Sequence, residues 1–176
     1  MTALERAILV AGIGNVFLGD DGFGVEVARR LAARPLPPGV VVADYGIRGM
    51  HLAYDLLDGR FDALIMVDAV PAEEPPGTVV VLDVDQDAEQ DAHHGGELVP
   101  DAHGMDPATV LRLLRALGGT GTRVLDQVFV VGCRPVSVAE GMGLSAPVAA
   151  AVTDAARTVL ALADRVRTQP TGPPVT

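Results

Sequence analysis

Short unbroken apolar runs alternate along this chain with stretches whose apolar residues recur every third or fourth position. Residues 7–11, with Ile8, Leu9 and Val10 at their centre, are apolar throughout and closed by Gly12. Such a run predicts a strand buried on both faces. Phe23, Val27 and Leu31 then fall every fourth residue, with Arg29 and Arg30 off the stripe, and predict an amphipathic helix. After Pro35, Pro37 and Pro38, residues 40–43 predict a second strand ending at Asp44, residues 45–49 a turn, and residues 50–57 a short helix. Residues 61–67 predict a third strand ending at Asp68, and residues 78–82 a fourth, entered through Pro75-Pro76-Gly77. A helix is expected from Pro107, with Asp106 as N-cap and Val110, Leu111, Leu114 and Leu117 as its buried stripe. A fifth strand follows at residues 128–132. The last helix, capped by Ser145, runs to about Arg167 through Val148, Val152, Val159 and Leu162.

Strands apolar on both faces, each followed by a helix, indicate an α/β fold with a mostly parallel, five-stranded sheet covered on both sides. Residues 1–167 are expected to form a single domain, and residues 168–176, with three prolines, a disordered tail. Residues 83–101 break the pattern. They carry seven acidic residues, His93-His94 and a glycine pair with little periodicity, and read as a functional or mobile loop.

Composition narrows the chemistry. The formal charge of -10 argues against nucleic acid or an anionic membrane surface as partner. All 13 basic residues are arginines, which excludes any mechanism built on a phosphate-loop lysine, a Schiff base or a Ser-Lys dyad. Ser137 and Ser145 are the only serines, and neither sits in a Gly-x-Ser-x-Gly elbow. Cys133 is the lone cysteine, so no intramolecular disulfide can form. It reads as a small buried hydrophobe, because only Arg134 beside it could lower its pKa. With no signal-like segment and no run approaching ~20 apolar residues, a cytoplasmic location is expected.

Between the first strand and first helix, Gly12, Gly14, Gly19 and Gly22 surround the pair Asp20-Asp21. A glycine-rich turn there usually cradles phosphate, but carboxylates repel phosphate and attract cations. The turn therefore reads as one wall of a cation or catalytic site, with one of the two aspartates serving as helix N-cap. Asp21, Asp44 and Asp68 each follow a different predicted strand. Ligands of open α/β sheets bind at the carboxyl ends of strands, and a spacing of ~4.8 Å puts such residues within reach of one ion if the strands are neighbours. His103, in a loop just before a helix, is the best nitrogen partner. His93 and His94 compete, but their acidic, glycine-flanked loop suggests solvent or loose metal capture, and His51 reads as an ordinary partly exposed histidine. The carboxylates with one imidazole could hold zinc, nickel, manganese or iron.

Gly12-Ile13-Gly14-Asn15, Gly19-Asp20-Asp21-Gly22-Phe23-Gly24, Asp44-Tyr45-Gly46-Ile47-Arg48-Gly49, Val67-Asp68-Ala69, His103-Gly104 and Gly143-Leu144-Ser145 together resemble the hydrogenase maturation endopeptidases. That family trims the C-terminus of the large subunit of nickel–iron hydrogenases and has a three-layer αβα sandwich fold. The resemblance implies metal ligation by Asp21, Asp68 and His103. It implies catalysis by a carboxylate, Asp44 or Asp21, as in an aspartic-type endopeptidase. The metal would be nickel carried by the large-subunit precursor and used as a recognition handle, with other divalent ions adventitious. Two departures are present: Asp21 stands where some members have Glu, and Tyr45 where glycine is frequent. Two other readings fit the same residues, a small-molecule metallohydrolase with its own ion and a noncatalytic nickel chaperone.

Overall fold

The computed structural model describes residues 5–84, 107–118 and 125–169. Five strands form one sheet: β1 (Ile8–Ile13), β2 (Val40–Gly46), β3 (Ala63–Ala69), β4 (Val79–Asp83) and β5 (Gln127–Cys133), in the order β2-β1-β3-β5-β4. The four longer strands are parallel and β4 runs antiparallel to β5 at the edge. Four helices, α1 (Phe23–Ala32), α2 (Gly49–Leu57), α3 (Pro107–Gly118) and α4 (Ala146–Thr168), cover the sheet. This is the mixed α/β sandwich that the alternation of patterns indicates.

Strand alternation divides the apolar side chains between two cores. Ile8, Val10, Ala63, Ile65 and Val67 meet Phe23, Val27 and Leu31 of α1 and the buried stripe of α4. Leu9, Ala11, Leu64 and Met66 meet Leu52 and Leu56 of α2 and Val110, Leu111 and Leu114 of α3. Burying each such side chain contributes about 1.5–3 kcal/mol, so β1 and β3, buried along nearly their whole length, carry the sheet. The close seating of α1 requires glycine. A Cβ on Gly24 would lie 2.0 Å from the Val67 carbonyl oxygen and 2.4 Å from that of Ile13.

Several boundaries differ from the pattern reading. β2 and β3 continue through Asp44 and Asp68 instead of stopping before them, because neighbouring strands pair with that backbone. Leu117 is 42% exposed: α3 buries only one side, and Leu117 lies beyond its edge. α4 is long and apolar enough to cross a membrane by length and composition alone, unlike the expectation that no stretch approaches a span. Its buried residues, from Val148 to Val166, belong to the α1-side core of the sheet. The expected Asp106 cap, residues 85–101 of the acidic loop with His93 and His94, and residues 170–176 of the tail lie outside the described residues.

Candidate active site

β1 ends in a tight crossing. A register shift between Gly12 and Ile13 is followed by Gly14, whose N–H donates to the Gly46 carbonyl at 3.0 Å. Gly14 has a φ of +136°, and a Cβ there would lie 1.8 Å from the Asp21 carbonyl oxygen and 3.7 Å from Asp68 Oδ1. Only glycine allows the turn bearing Asp21 and the end of β3 bearing Asp68 to meet at this point.

Asp21 sits in a single 3-10 turn, Gly19–Gly22, that leads into α1. Its Oδ2 accepts the Asn15 N–H at 2.7 Å, and no hydrogen bond reaches its other oxygen among the described residues. Asp68, only 5% exposed, accepts the Ala69 N–H on Oδ1 at 2.8 Å. Asp44 is half-buried on β2, paired in register with Gly12 of β1. Its Oδ2 lies 3.7 Å from Arg29 Nε of α1, and its carbonyl accepts a bond from the Arg48 guanidinium.

Asp44 and Asp68 thus share the carboxyl edge of the sheet, on the two strands that flank β1. Two inter-strand spacings separate their strands, about 10 Å. They also face opposite sides. Asp44 continues the Val40, Val42 series toward α1, whereas Asp68 continues the Leu64, Met66 series toward α2 and α3. The three aspartates thus share the carboxyl edge, with Asp44 and Asp68 leaving it toward different faces. The Asp21 backbone carbonyl and Asp68 Oδ1 both border Gly14. Asp44 Oδ1 and the Gly14 carbonyl both lie 3.7 Å from where a Cβ on Gly46 would stand, so all three aspartates border this crossing, with Asp44 also beside Arg29.

His103 lies outside the described residues, four positions before α3, the helix that packs on the Asp68 side of the sheet. Among the described residues, no group of three or more His, Cys, Asp or Glu side chains is arranged to hold a metal ion. Asp21 and Asp68 supply hard carboxylate oxygens, each carboxylate held by a backbone N–H, which suits a divalent cation completed by further donors. His51 is exposed on α2.

Neither aspartate of the pair caps α1. Gly22 occupies the N-cap position, and no side chain bonds there. Asp20, 1% exposed, instead reaches across the molecule to the loop after β5. It accepts the N–H groups of Val136 at 2.8 Å, Ser137 at 3.3 Å and Ser145 at 2.7 Å, and the Ser145 hydroxyl at 2.8 Å. The same loops join through Gly19 N–H to the Gly141 carbonyl at 2.8 Å and Gly141 N–H to the Phe17 carbonyl at 2.9 Å. Ser145 is the first residue before α4, but its hydroxyl serves Asp20 and not the helix end. Nothing local in the sequence foretells this tie, because its partners lie far apart along the chain.

Tyr45 does not screen Asp44. Its ring is buried with Leu52 and Leu56 on the opposite face, and its hydroxyl donates to Asp55 Oδ2 at 2.6 Å. Burial and the Asp55 carboxylate push the phenol well above its ordinary value. Cys133 is buried, and burial with the nearby Asp20 carboxylate raises its thiol to about 11. A neutral thiol packed in the core is no nucleophile at neutral pH.

Residues 25–162 match the hydrogenase maturation protease family. Over 156 residues the chain is 34% identical to the hydrogenase 2 maturation protease of Escherichia coli, covering 88% of each chain. The fold is similar to the hydrogenase maturating endopeptidase HybD from E. coli, with a TM-score of 0.67 at 31% identity over 91% of this chain and 93% of that one. It also resembles the hydrogenase 2 maturation peptidase from a Thaumarchaeota archaeon, with a TM-score of 0.64 at 31% identity over 89% and 97% of the two chains.

Proposed function

The chain belongs to the hydrogenase maturation proteases, and we propose that it removes a C-terminal peptide from the nickel-loaded large-subunit precursor of a nickel–iron hydrogenase in the cytoplasm. The observation that carries this reading is the set of three aspartates at the carboxyl edge of the sheet, Asp44 and Asp68 on opposite faces. Asp21 and Asp68 border Gly14 through a backbone carbonyl and a carboxylate oxygen, and Asp44, on β2, leaves the same edge toward the other face.

In this reading the labour is divided between the carboxylates. Asp21 and Asp68, joined by His103 from the segment before α3, hold the nickel that the precursor brings. Two carboxylates and an imidazole leave coordination positions open for the precursor's own ligands. The ion supplies a Lewis acid and a fixed reference point for the peptide. Asp44, half-buried and steadied by Arg29 and by the backbone bond from Arg48, takes a proton from the attacking water and returns it to the leaving amine. Its face of the sheet is not the face of Asp68. The scissile bond therefore lies across the edge, one side anchored by the metal and the other presented to Asp44.

The test is direct. Incubation with a nickel-loaded large-subunit precursor should yield a shortened C-terminus by mass spectrometry, and a nickel-free precursor should be cut far more slowly. Equal rates for the two would remove the handle from the mechanism.

A further inference from the structure

An open groove of about 790 Å³ runs along the outer face of α1, between that helix and the start of α4. Glu26, Arg29 and Arg30 line it from α1, and Val16, Met142 and Leu144 add apolar surface. Because α1 leads from β1 back to the parallel strand β2, the groove starts at the carboxyl edge and descends along the flank. Resting on the proposed cleavage of a protein precursor, we propose that this groove binds the segment C-terminal to the scissile bond. That segment is an extended apolar peptide whose carboxylate, from an acidic side chain or from the chain end, pairs with Arg30.

Three observations converge on this occupant. The first is continuity: Arg29 lines the groove, and its Nε lies 3.7 Å from Asp44 Oδ2, so the groove opens beside the carboxylate assigned to water activation. The second is charge. Glu26 bonds Arg29 at 3.2 Å, and Arg29 is shared with Asp44, so both are already matched. Arg30 reaches only the Thr153 hydroxyl and has no carboxylate partner among the described residues. An arginine without a carboxylate partner inside this groove selects for an anionic group. The third is shape. The α1 stripe from Gly22 to Ala33 is about 16 Å long, room for roughly five extended residues. Met142, 75% exposed at the rim, offers an adaptable apolar contact for such a segment.

Two measurements test the assignment. Arg30→Gln and Ala149→Trp, the latter on the exposed α4 wall of the groove, should each raise KM for the nickel-loaded precursor about tenfold. Their kcat should stay within about twofold and their melting curves should match wild type, because contacts remote from the reacting atoms bind ground state and transition state alike. In methyl-13C-methionine protein, the probe peptide acetyl-Ala-Val-Leu-Glu with a free C-terminus should shift the Met142 signal in wild type and not in Arg30→Gln. Replacing its glutamate by glutamine, or amidating its end, identifies which carboxylate Arg30 reads. An unchanged KM together with a silent Met142 would overturn the proposal. So would a concentration-dependent rise in mass that Ala149→Trp abolishes, which would make the groove a contact between copies of the chain. If the wild type left the precursor intact but bound the probe through Arg30, the groove would stand and the proteolytic reading would fall. Cleavage that ignores both groove variants, with no probe binding, would leave proteolysis standing and remove the groove from it.

Discussion

Asp20 and Ser145, 125 positions apart in sequence, are joined by two hydrogen bonds. The Ser145 N–H donates to Oδ1 at 2.7 Å and its hydroxyl to Oδ2 at 2.8 Å. The first turn is thereby fastened to the entrance of α4, and the turn in question is the one that carries Asp21. One aspartate of the pair holds the scaffold so that its neighbour can face the site.

Asp20→Ala should therefore be costly. It strands three backbone N–H groups and a hydroxyl around a position that is 1% exposed. A donor left without a partner costs about 1–3 kcal/mol when buried, and because water can reach part of this loop the expected total loss is about 3 kcal/mol. For a chain of this size that is roughly 10 °C in melting temperature, measurable by circular dichroism. Asp20→Asn, which keeps the shape and an acceptor, should lose about half as much.

The same carboxylate sets an acid limit. Burial alone would raise its pKa, but the bonds from Ser145, Val136 and Ser137 outweigh that and hold it below its ordinary value of 3.8. A group lowered in the folded state contributes stability that is fully present above the ordinary value and is lost as the pH falls through the folded one. Urea unfolding followed from about pH 6 to pH 2 should show this loss in wild type, and Asp20→Asn should show a shallower decline.

Cys133 offers the opposite case, a group that should do nothing. With its thiol raised to about 11 and its side chain buried, it stays protonated at pH 8. Native protein should resist iodoacetamide at that pH, and Cys133→Ala should keep its processing rate within about twofold. Loss of cleavage with the fold intact would restore a thiol mechanism.

Much of this arrangement is legible in the sequence because the sheet is buried on both faces. Continuous apolar runs mark β1, β3 and β5, and Phe23, Val27 and Leu31 mark the inward side of α1. Asp44 and Asp68, near the ends of β2 and β3, fall on one edge because parallel strands joined by helices all point the same way. What periodicity does not encode is register between strands. The in-register pairing of Asp44 with Gly12, and Asp68 one residue beyond the level of Val67, sends the two side chains to opposite faces. The Asp20–Ser145 tie is invisible for the same reason: no local propensity records a bond closed only in three dimensions. Leu117 fits the helical stripe by spacing and is exposed, because α3 rests on α2 and the sheet by one side alone.

The last prediction separates the roles of the carboxylates at the edge. Asp44→Asn keeps the shape but cannot take a proton from water, and losing a positioned base costs typically about 10²–10⁴ in rate. It should abolish detectable processing while leaving nickel affinity, measured by isothermal titration with Ni²⁺, close to wild type. Asp68→Asn and His103→Ala should instead weaken nickel binding by about tenfold or more and slow processing of the nickel-loaded precursor toward the nickel-free rate. With them the advantage of nickel-loaded over nickel-free precursor should disappear. Gly14→Ala probes the junction itself: at a φ of +136°, with 1.8 Å between its new Cβ and the Asp21 carbonyl, it must displace the turn that carries Asp21. It should therefore resemble the Asp68 variant in nickel affinity, with a lower melting temperature as the sign of local strain. If Asp44→Asn lost nickel affinity as fully as Asp68→Asn, the carboxylates would form one metal cluster and the division of labour across the two faces would be wrong.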